Sequence, residues 1–356
     1  MIGARKRIVI AAGGTAGHVV PALTVAEELR AEGADVAFIG GGRAEAQLVP
    51  AAGFPLHTIA VEGLSRSNPL RASRALALAG AAIPRARRLL SELAPDAVMG
   101  GGGYVAGPVG VAAVGMRLPL VLTEADSHLG VTNRLLAPFA RRVCLAFALP
   151  GRDGAKYRVT GRPVPAPGAD RAASRLRFGV PADATCLLVF GGSLGARSIN
   201  LAAIGAFAEA QVHVLHVSGQ RDHHELAVRD LRAGYDLRAY LSLEEFAAAL
   251  SAADLAVARA GGSVFEIAAH GLPAILVPYP HAAGDHQSAN ARWMADAGAA
   301  LVIEDGELSA ERLRAEVTRL LGDRARLAAM SAAAGALARP QAAREVAQEL
   351  LQAAGP

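Results

Sequence analysis

The sequence predicts an α/β protein built from two Rossmann-like domains, each a parallel sheet covered by helices. Short apolar runs alternate with helical patterns through residues 8–146 and again after residue 186, which is typical of βαβ units. Each half opens with an apolar strand, a glycine-rich turn and a helix. The chain of 356 residues is also long for a single core. We therefore expect two domains that face each other across a cleft.

A run dense in proline and glycine at residues 162–168 indicates the boundary between the domains. Residues 1–161 are assigned to an N-terminal domain and residues 169–338 to a C-terminal domain. Residues 339–356 form a last helical segment, which is a candidate to cross back to the N-terminal domain.

Composition narrows the class of protein. Hydrophobic residues make up 52% and charged residues 19%, as in folded globular chains. A net charge of +4 does not indicate nucleic acid, and only weakly favours anionic surfaces or phosphates. The apolar run after the basic N-terminus is too short for a signal peptide, and no run reaches the ~18 apolar residues of a membrane span. We expect a cytosolic protein, soluble or peripheral to a membrane.

The two cysteines, Cys144 and Cys186, each lie in an apolar strand-like run. This position is typical of small buried core residues and not of a disulfide or a metal site.

Residues 254–290 give the strongest indication of a ligand site. A predicted strand leads into the turn Gly261-Gly262-Ser263 and a helix, which directs N–H groups and a positive dipole end at an anion. Glu266, about one turn into the helix, suits a vicinal diol. Gln287 and Asn290 return to the same sheet edge and suit sugar hydroxyls. The combination predicts a nucleotide-sugar site, although a glycine turn alone is common in α/β proteins.

The first glycine-rich turn runs from Gly13 to His18 and is followed by Pro21, whose position predicts the first turn of a helix. The glycines do not fit G-x-G-x-x-G, and the second strand ends in Gly40-Gly41-Gly42 without an acidic residue for a ribose, which argues against a dinucleotide. His18 lies where a neutral imidazole can take a proton near neutral pH. A purely structural histidine is the alternative.

Residues 69–90 interleave leucines with arginines, among them Arg85, Arg87 and Arg88. This pattern suits contact with anionic lipid headgroups. An amphipathic helix packed on the sheet, with its arginines in solvent, is the alternative.

Five motifs that span essentially the whole chain resemble the MurG family. This family comprises the lipid-linked N-acetylglucosaminyltransferases of bacterial peptidoglycan synthesis, in glycosyltransferase family 28, and has the GT-B fold. The motifs are Gly13-Gly14-Thr15-Ala16-Gly17-His18 with Pro21-Ala22-Leu23, Gly102-Gly103-Tyr104-Val105-Ala106-Gly107-Pro108, Gly130-Val131-Thr132-Asn133-Arg134-Leu135-Leu136, Gly191-Gly192-Ser193-Leu194-Gly195-Ala196, and Asp285-His286-Gln287 with Asn290-Ala291.

The resemblance implies an inverting hexosyltransferase that needs no metal or other cofactor. N-acetylglucosamine would move from UDP-N-acetylglucosamine (UDP-GlcNAc) to the C4 hydroxyl of lipid I, the undecaprenyl-pyrophosphoryl-MurNAc-pentapeptide, to give lipid II. The N-terminal domain would face the acceptor and the membrane, and the C-terminal domain would bind UDP-GlcNAc. The implied partners are these two substrates and the cytoplasmic face of the cell membrane, where the protein would be peripheral, and not nucleic acid.

The resemblance also implies roles for individual residues. Leu243 would meet the uracil through its backbone, Glu266 the ribose, and Ser193 with the Gly261–Ser263 turn the pyrophosphate. His18 is the expected base because of its own position on the glycine-rich loop of the first domain, and Asp126 is the second candidate because a carboxylate stands there in place of an amide. The expected donor contacts are Thr15, Ala16, Gly17, Asp126, Arg162, Ser193, Leu243, Gly261, Gly262, Ser263, Glu266, Gln287 and Asn290, and the expected acceptor or membrane contacts are Tyr104, Arg85, Arg87 and Arg88.

The sequence departs from the family pattern at three places. Thr123-Glu124-Ala125-Asp126 stands where the family has His-Glu-Gln-Asn, so a carboxylate replaces an amide. Gly161-Arg162-Pro163-Val164-Pro165 replaces Gly-Asn-Pro-Val-Arg, which leaves Arg162 as the candidate for the missing arginine. The segment from Arg259 to Glu266 is one residue shorter than the common pattern.

Three alternatives stay open from the sequence. Another GT-B transferase would keep the donor half and use a different lipid or small acceptor. A non-hydrolysing UDP-GlcNAc epimerase would bind the same nucleotide-sugar without transfer. A dinucleotide-dependent oxidoreductase is disfavoured by the glycine spacing.

Overall fold

The computed structural model describes residues 5–63, 69–167, 170–192, 194–209 and 212–355. The chain forms two compact units, one of Met1–Pro165 with Arg339–Pro356 and the other of Ala166–Ala338. Each unit contains one fully parallel sheet with helices, so the predicted α/β fold with two parallel sheets is confirmed. The division between the units falls within residues 162–168.

The first unit contains a seven-stranded sheet in the order β3-β2-β1-β4-β5-β6-β7. Its elements are β1 (Arg7–Ala11), α1 (Ala16–Ala31), β2 (Asp35–Gly40), α2 (Ala44–Ala51), β3 (Leu56–Thr58), α3 (Pro69–Leu93), β4 (Ala97–Gly100), α4 (Ala106–Gly115), β5 (Leu120–Glu124), α5 (Val131–Leu136), β6 (Arg142–Leu145), β7 (Tyr157–Val159) and, at the end of the chain, α14 (Ala342–Ala353).

Strand β1 shows why these strands are continuous apolar runs. Ile8 and Ile10 pack in a core on one face of the sheet, and Val9 and Ala11 pack in a second core on the other face. Because successive side chains of a strand point to opposite faces, a strand buried on both faces needs apolar residues at every position.

Helix α1 begins earlier than the sequence predicted. Pro21 lies inside the helix and not in its first turn, because α1 starts at Ala16. A proline has no N–H to donate, so the carbonyl of Gly17, four residues earlier, receives no bond from position 21. The start of this helix therefore depends on a partner from elsewhere in the fold.

The C-terminal helix α14 belongs to the first unit and packs against α1. Val346 and Leu350 are both fully buried there, in the same core as Ile8 and Ile10. Glu349 also accepts a hydrogen bond from Nε of Arg142 on β6 at 2.5 Å.

Helix α3 is amphipathic, and the structure corrects part of the membrane prediction. Leu89 and Leu90 are buried in the core, so they cannot meet a lipid surface together with Arg85, Arg87 and Arg88, which are exposed. The exposed leucines of α3 are Leu70 and Leu76, at 80% and 60%, nearer the start of the helix. The C-terminal part of α3 therefore packs on the sheet through Leu89 and Leu90, and the contact of its exposed arginines with lipid headgroups stays a prediction.

The second unit contains a six-stranded sheet in the order β10-β9-β8-β11-β12-β13, with 3₁₀ turns at Ala283–Asp285 and Asp305–Glu307. Its other elements are α6 (Arg171–Arg177), β8 (Cys186–Phe190), α7 (Arg197–Phe207), β9 (His213–Val217), α8 (Gln220–Ala227), β10 (Tyr235–Arg238), α9 (Leu243–Ala252), β11 (Leu255–Ala258), α10 (Val264–Ala269), β12 (Ala274–Leu276), α11 (His286–Asp296), β13 (Ala300–Val302), α12 (Ala310–Leu321) and α13 (Arg324–Leu337).

Both cysteines are free and buried, as predicted, and burial raises the pKa of each thiol to about 12. Within the described residues, no helix is long and apolar enough to cross a membrane.

Leu350→Ala should destabilise the first unit by about 2–5 kcal/mol, because it leaves a cavity in a core that α14 closes. Since a chain of two units need not unfold in one step, hydrogen exchange resolved by peptide is the appropriate measurement. Faster exchange should appear in the first unit and not in residues 170–338. Gln352→Ala, at an exposed position of the same helix, is the matched control. Equal exchange in the two variants would contradict the assigned packing of α14.

Candidate functional site

The first unit contains a cavity of about 290 Å³ at the carboxyl edge of its sheet. The first turns of α1 line it, together with the turns that follow β4 and β5, the segment after β7 and Val346 of α14. Four of the residues predicted from the sequence lie on its wall, namely Gly17, His18, Asp126 and Arg162. Edges of this kind are the usual position of ligand sites in parallel α/β folds.

His18 lies in the first turn of α1, partly buried, with its ring close to the turn after β4. A methyl group at Gly102 would lie 2.9 Å from Nδ1 of His18, so only a glycine permits this approach. Burial lowers the pKa of His18, the positive charge of Arg162 lowers it further, and Asp126 acts in the opposite direction. The imidazole is therefore neutral at neutral pH and able to accept a proton.

Arg162 supplies the partner that the start of α1 lacks. Its Nη2 donates to the carbonyl oxygen of Gly17, the group left without a helical bond by Pro21. Arg162 is only 9% exposed. The guanidinium of Arg162 therefore lies against Gly17, the residue before His18. Its predicted contact with the donor stays a prediction.

Glu124 organises the loop between β5 and α5. Its carboxylate accepts hydrogen bonds from the backbone N–H of Asp126 at 3.1 Å and of Gly130 at 2.8 Å, and from the Asn133 side chain at 2.9 Å. Burial raises the pKa of Glu124, and these donors oppose the rise. The buried carboxylate of Glu124 consequently holds Asp126 at the cavity wall. Thr123 and Ala125 are the other two residues that differ from the His-Glu-Gln-Asn pattern of the family.

Thr15 is the N-cap residue of α1, and its exposed side chain makes no capping hydrogen bond. Ala16 and Gly17 lie in the first turn of the helix. Tyr104 is partly exposed, and its hydroxyl lies 3.4 Å from Oε1 of Glu45. Burial and the charge of Glu45 raise the pKa of Tyr104. The sequence interpretation found no acidic residue at the end of β2, but the structure places Glu45 there, fully buried and bonded to backbone.

In the second unit, several predicted donor residues converge at the carboxyl edge of β11. Asn290 donates from Nδ2 to the carbonyl of Ala260 at 3.0 Å, and Gln287 accepts from the N–H of Tyr279 at 3.0 Å. A methyl group at Gly261 would lie 4.0 Å from Nε2 of Gln287. Asn290 is only 1% exposed, and its observed contact is with the backbone just before the Gly261–Ser263 turn. Its contact with the sugar stays a prediction.

The structure shows where most of the other predicted donor residues lie, and their contacts with the donor stay predictions. Gly262 and Ser263 complete the partly exposed turn before α10, and Glu266 is partly exposed on that helix. Leu243 is the first residue of α9, directly after its N-cap Ser242, and is 37% exposed. Ser193 lies outside the described residues.

Arg259 is a residue whose role the sequence interpretation missed. Its guanidinium donates to the carbonyls of Val277 and Pro278, each at 3.1 Å, and lies 2.6 Å from Oδ1 of Asp305. The Arg259 side chain therefore connects the end of β11, just before the Gly261–Ser263 turn, to the end of β12. An arginine directly after a buried strand was the available signal.

No group of three or more His, Cys, Asp or Glu side chains among the described residues is arranged to hold a metal ion.

Comparison with known proteins identifies the family. Residues 8–145 match the glycosyltransferase family 28 N-terminal domain, and residues 186–350 match the glycosyltransferase family 28 C-terminal domain. Relatives from Moorella thermoacetica and Methylococcus capsulatus are each 42% identical to the chain. The alignments cover 97% of this chain and 98% of the first relative, and 98% and 99% for the second. Both relatives are named UDP-N-acetylglucosamine–N-acetylmuramyl-(pentapeptide) pyrophosphoryl-undecaprenol N-acetylglucosamine transferase.

Solved structures agree with this result. MurG from Acinetobacter baumannii has 32% sequence identity and a TM-score of 0.75, over 98% of this chain and 99% of that one. The calicheamicin glycosyltransferase CalG4, at 18% identity and a TM-score of 0.67, and a putative UDP-N-acetylglucosamine 2-epimerase from Listeria monocytogenes, at 15% and 0.69, share the fold alone. The near-full-length relatives and the two matched domains together show that the chain belongs to glycosyltransferase family 28.

Proposed function

We propose that this protein transfers N-acetylglucosamine from UDP-GlcNAc to the C4 hydroxyl of lipid I, with inversion, and so forms lipid II for peptidoglycan synthesis. The observation that carries the proposal is the similarity to transferases of this name at 42% identity over nearly the whole of both chains. The neighbouring epimerase structures at 13–15% identity do not favour epimerisation, because they reflect only the shared fold.

The second unit binds the donor in this proposal. Glu266 accepts hydrogen bonds from the ribose hydroxyls, and the backbone N–H groups of the Gly261–Ser263 turn donate to the pyrophosphate. Gln287 holds the sugar. As the glycosidic bond breaks, negative charge develops on the departing UDP, and oriented N–H donors stabilise that charge.

The first unit binds the acceptor and supplies the base. His18 takes the proton from the C4 hydroxyl as the oxygen attacks the anomeric carbon, and its lowered pKa keeps it in the neutral form required. Two charged groups act on the pKa of the imidazole. Arg162, which binds the Gly17 carbonyl, lowers it, and Asp126, on the loop held by Glu124, raises it. The cavity beside these residues, about 290 Å³, receives the acceptor hydroxyl.

The first unit also docks on the cytoplasmic face of the cell membrane, because the lipid tail of the acceptor cannot leave the bilayer. The contact surface is the exposed side of α3, where Leu70 and Leu76 offer apolar side chains and Arg85, Arg87 and Arg88 offer positive charge.

The direct test incubates the purified protein with radiolabelled UDP-GlcNAc and lipid I, and follows the label into lipid II. The same reaction without lipid I reports epimerisation, since UDP-N-acetylmannosamine would then appear. Label in lipid II only when lipid I is present is the expected result. Epimer formation, or no transfer to lipid I, would contradict the proposal.

Glu266→Ala should weaken UDP binding by at least about tenfold, because a hydrogen-bonded carboxylate on a ribose diol contributes roughly 1.5–3 kcal/mol. Isothermal titration calorimetry with UDP measures the change. Glu311→Ala removes an exposed glutamate from α12 of the same unit and is the matched control. Unchanged UDP affinity in Glu266→Ala would refute this placement of the nucleotide.

His18→Ala should retain UDP affinity and lower kcat by about 10²- to 10⁴-fold, the usual effect of losing a general base.

In the wild type, kcat/KM should stay constant from neutral pH to below ~6.5, and fall only as the lowered pKa of His18 is crossed. Removing the positive charge with Arg162→Met should raise that pKa and move the acidic limb to higher pH. Asp126→Asn should move it to lower pH. Near-normal turnover of His18→Ala would leave the histidine a structural role only.

Arg85→Glu/Arg87→Glu/Arg88→Glu should lose most of its affinity for anionic vesicles at physiological salt, because each arginine near such a surface contributes about 1 kcal/mol. Co-sedimentation measures the loss, and wild-type binding should weaken as salt rises. Arg229→Glu/Arg324→Glu/Arg326→Glu makes the same change in net charge at exposed positions of the second unit. Equal sedimentation of the two triple variants would show that α3 is not the docking surface.

A further inference from the structure

Glu45 is a fully buried carboxylate at the start of α2, and the reaction proposed above does not use it. Its Oε2 accepts a hydrogen bond from the backbone N–H of Gly14 at 2.9 Å, and its Oε1 accepts one from Gly41 at 2.8 Å. One side chain therefore joins the turn after β1 to the turn after β2. Charge-assisted bonds of this kind are stronger than those between neutral groups.

The packing around Glu45 leaves no room for a side chain at Gly13 or at Gly103. A methyl group at Gly13 would lie 2.7 Å from Oε1 of Glu45. On the other side, a methyl group at Gly103 would lie 2.0 Å from the carbonyl oxygen of Gly13. The turn after β1 is thus held between the Glu45 carboxylate and the turn after β4.

The same two turns adjoin His18. His18 comes four residues after Gly14, and its ring approaches Gly102 on the turn after β4. A shift of the Gly13–Gly14 backbone would move the start of α1, and the imidazole with it. The Gly14 and Gly41 N–H groups are also occupied by Glu45, so they are not donors for an anionic ligand in this arrangement.

We infer that Glu45 is a positioning residue for transfer, which fixes the glycine turn after β1 and through it the orientation of the His18 imidazole. The inference rests on the proposed function, because it assumes that His18 is the base. Glu45 is fully buried, so its proposed effect passes through the backbone groups that it binds.

Glu45→Gln is the principal test, because it keeps the shape of the side chain but turns an amide N–H₂ toward one of the two backbone donors. The expected result is a fall in kcat of about tenfold to a hundredfold, as for other small displacements of a catalytic group. The Kd for UDP should stay within about twofold of wild type, since the second unit holds the nucleotide. Glu45→Asp, which is too short to reach both N–H groups, should show the same effect to a smaller degree, and serves if Glu45→Gln does not fold.

A double-mutant cycle with His18→Ala separates positioning from general destabilisation. If Glu45 acts through His18, adding Glu45→Gln to His18→Ala should lower kcat by no more than about twofold. Losses that multiply in the double variant would overturn the inference. So would a kcat of Glu45→Gln within about twofold of wild type.

Glu349→Gln is the matched control. It also neutralises a buried carboxylate of the first unit, but on α14, where Glu349 pairs with Arg142. Its kcat should stay near that of the wild type. A kcat loss equal to that of Glu45→Gln would assign both effects to destabilisation of the unit and overturn the inference.

One measurement does not require transfer activity. In protein labelled with ¹³C-histidine, the His18 ring resonance, assigned by its absence in His18→Ala, should shift in Glu45→Gln and not in Glu349→Gln. An unmoved resonance would overturn the inference even if the enzyme transfers N-acetylglucosamine. A shifted resonance in a protein that transfers nothing would leave the positioning correct and refute the proposed function.

Discussion

Buried polar side chains that bond to backbone hold the loops at the carboxyl edges of both sheets. Where parallel strands end, N–H and C=O groups lose their ladder partners, and leaving them unpaired in the interior is costly. Glu45 and Glu124 each accept from two backbone N–H groups in the first unit, and Asn290 donates to a backbone carbonyl in the second. The positions of the predicted ligand residues depend on these bonds.

The contact between Arg162 and Gly17 shows how one such requirement joins distant parts of the chain. Pro21 cannot donate to the Gly17 carbonyl, and the guanidinium of a residue 145 positions away does so instead. The same cation lies near His18 and lowers its pKa. A single arginine therefore completes the start of a helix and favours the neutral form of the proposed base.

Much of the site could be predicted from residue types next to glycine turns. Gly17, His18, Asp126 and Arg162 do line one cavity, and Gln287 does lie beside the Gly261 turn. Glu45 and Arg259 were not predicted, because neither belongs to a recognisable spacing. Their function comes from backbone partners on other strands, and a single sequence does not record which carbonyl or N–H a side chain will meet.

The alternation of strands and helices, the two parallel sheets and the family motifs could all be predicted from the sequence, because each depends on local periodicity or on short runs of residues. The packing of Leu89 and Leu90 in the core, with Leu70 and Leu76 exposed, could be seen only in the folded protein. It also placed Pro21 inside α1 and buried Glu45 between two turns. The physical reason is that burial and the pairing of buried polar groups are set by neighbours that packing brings together, such as Glu45 and Gly14, 31 positions apart.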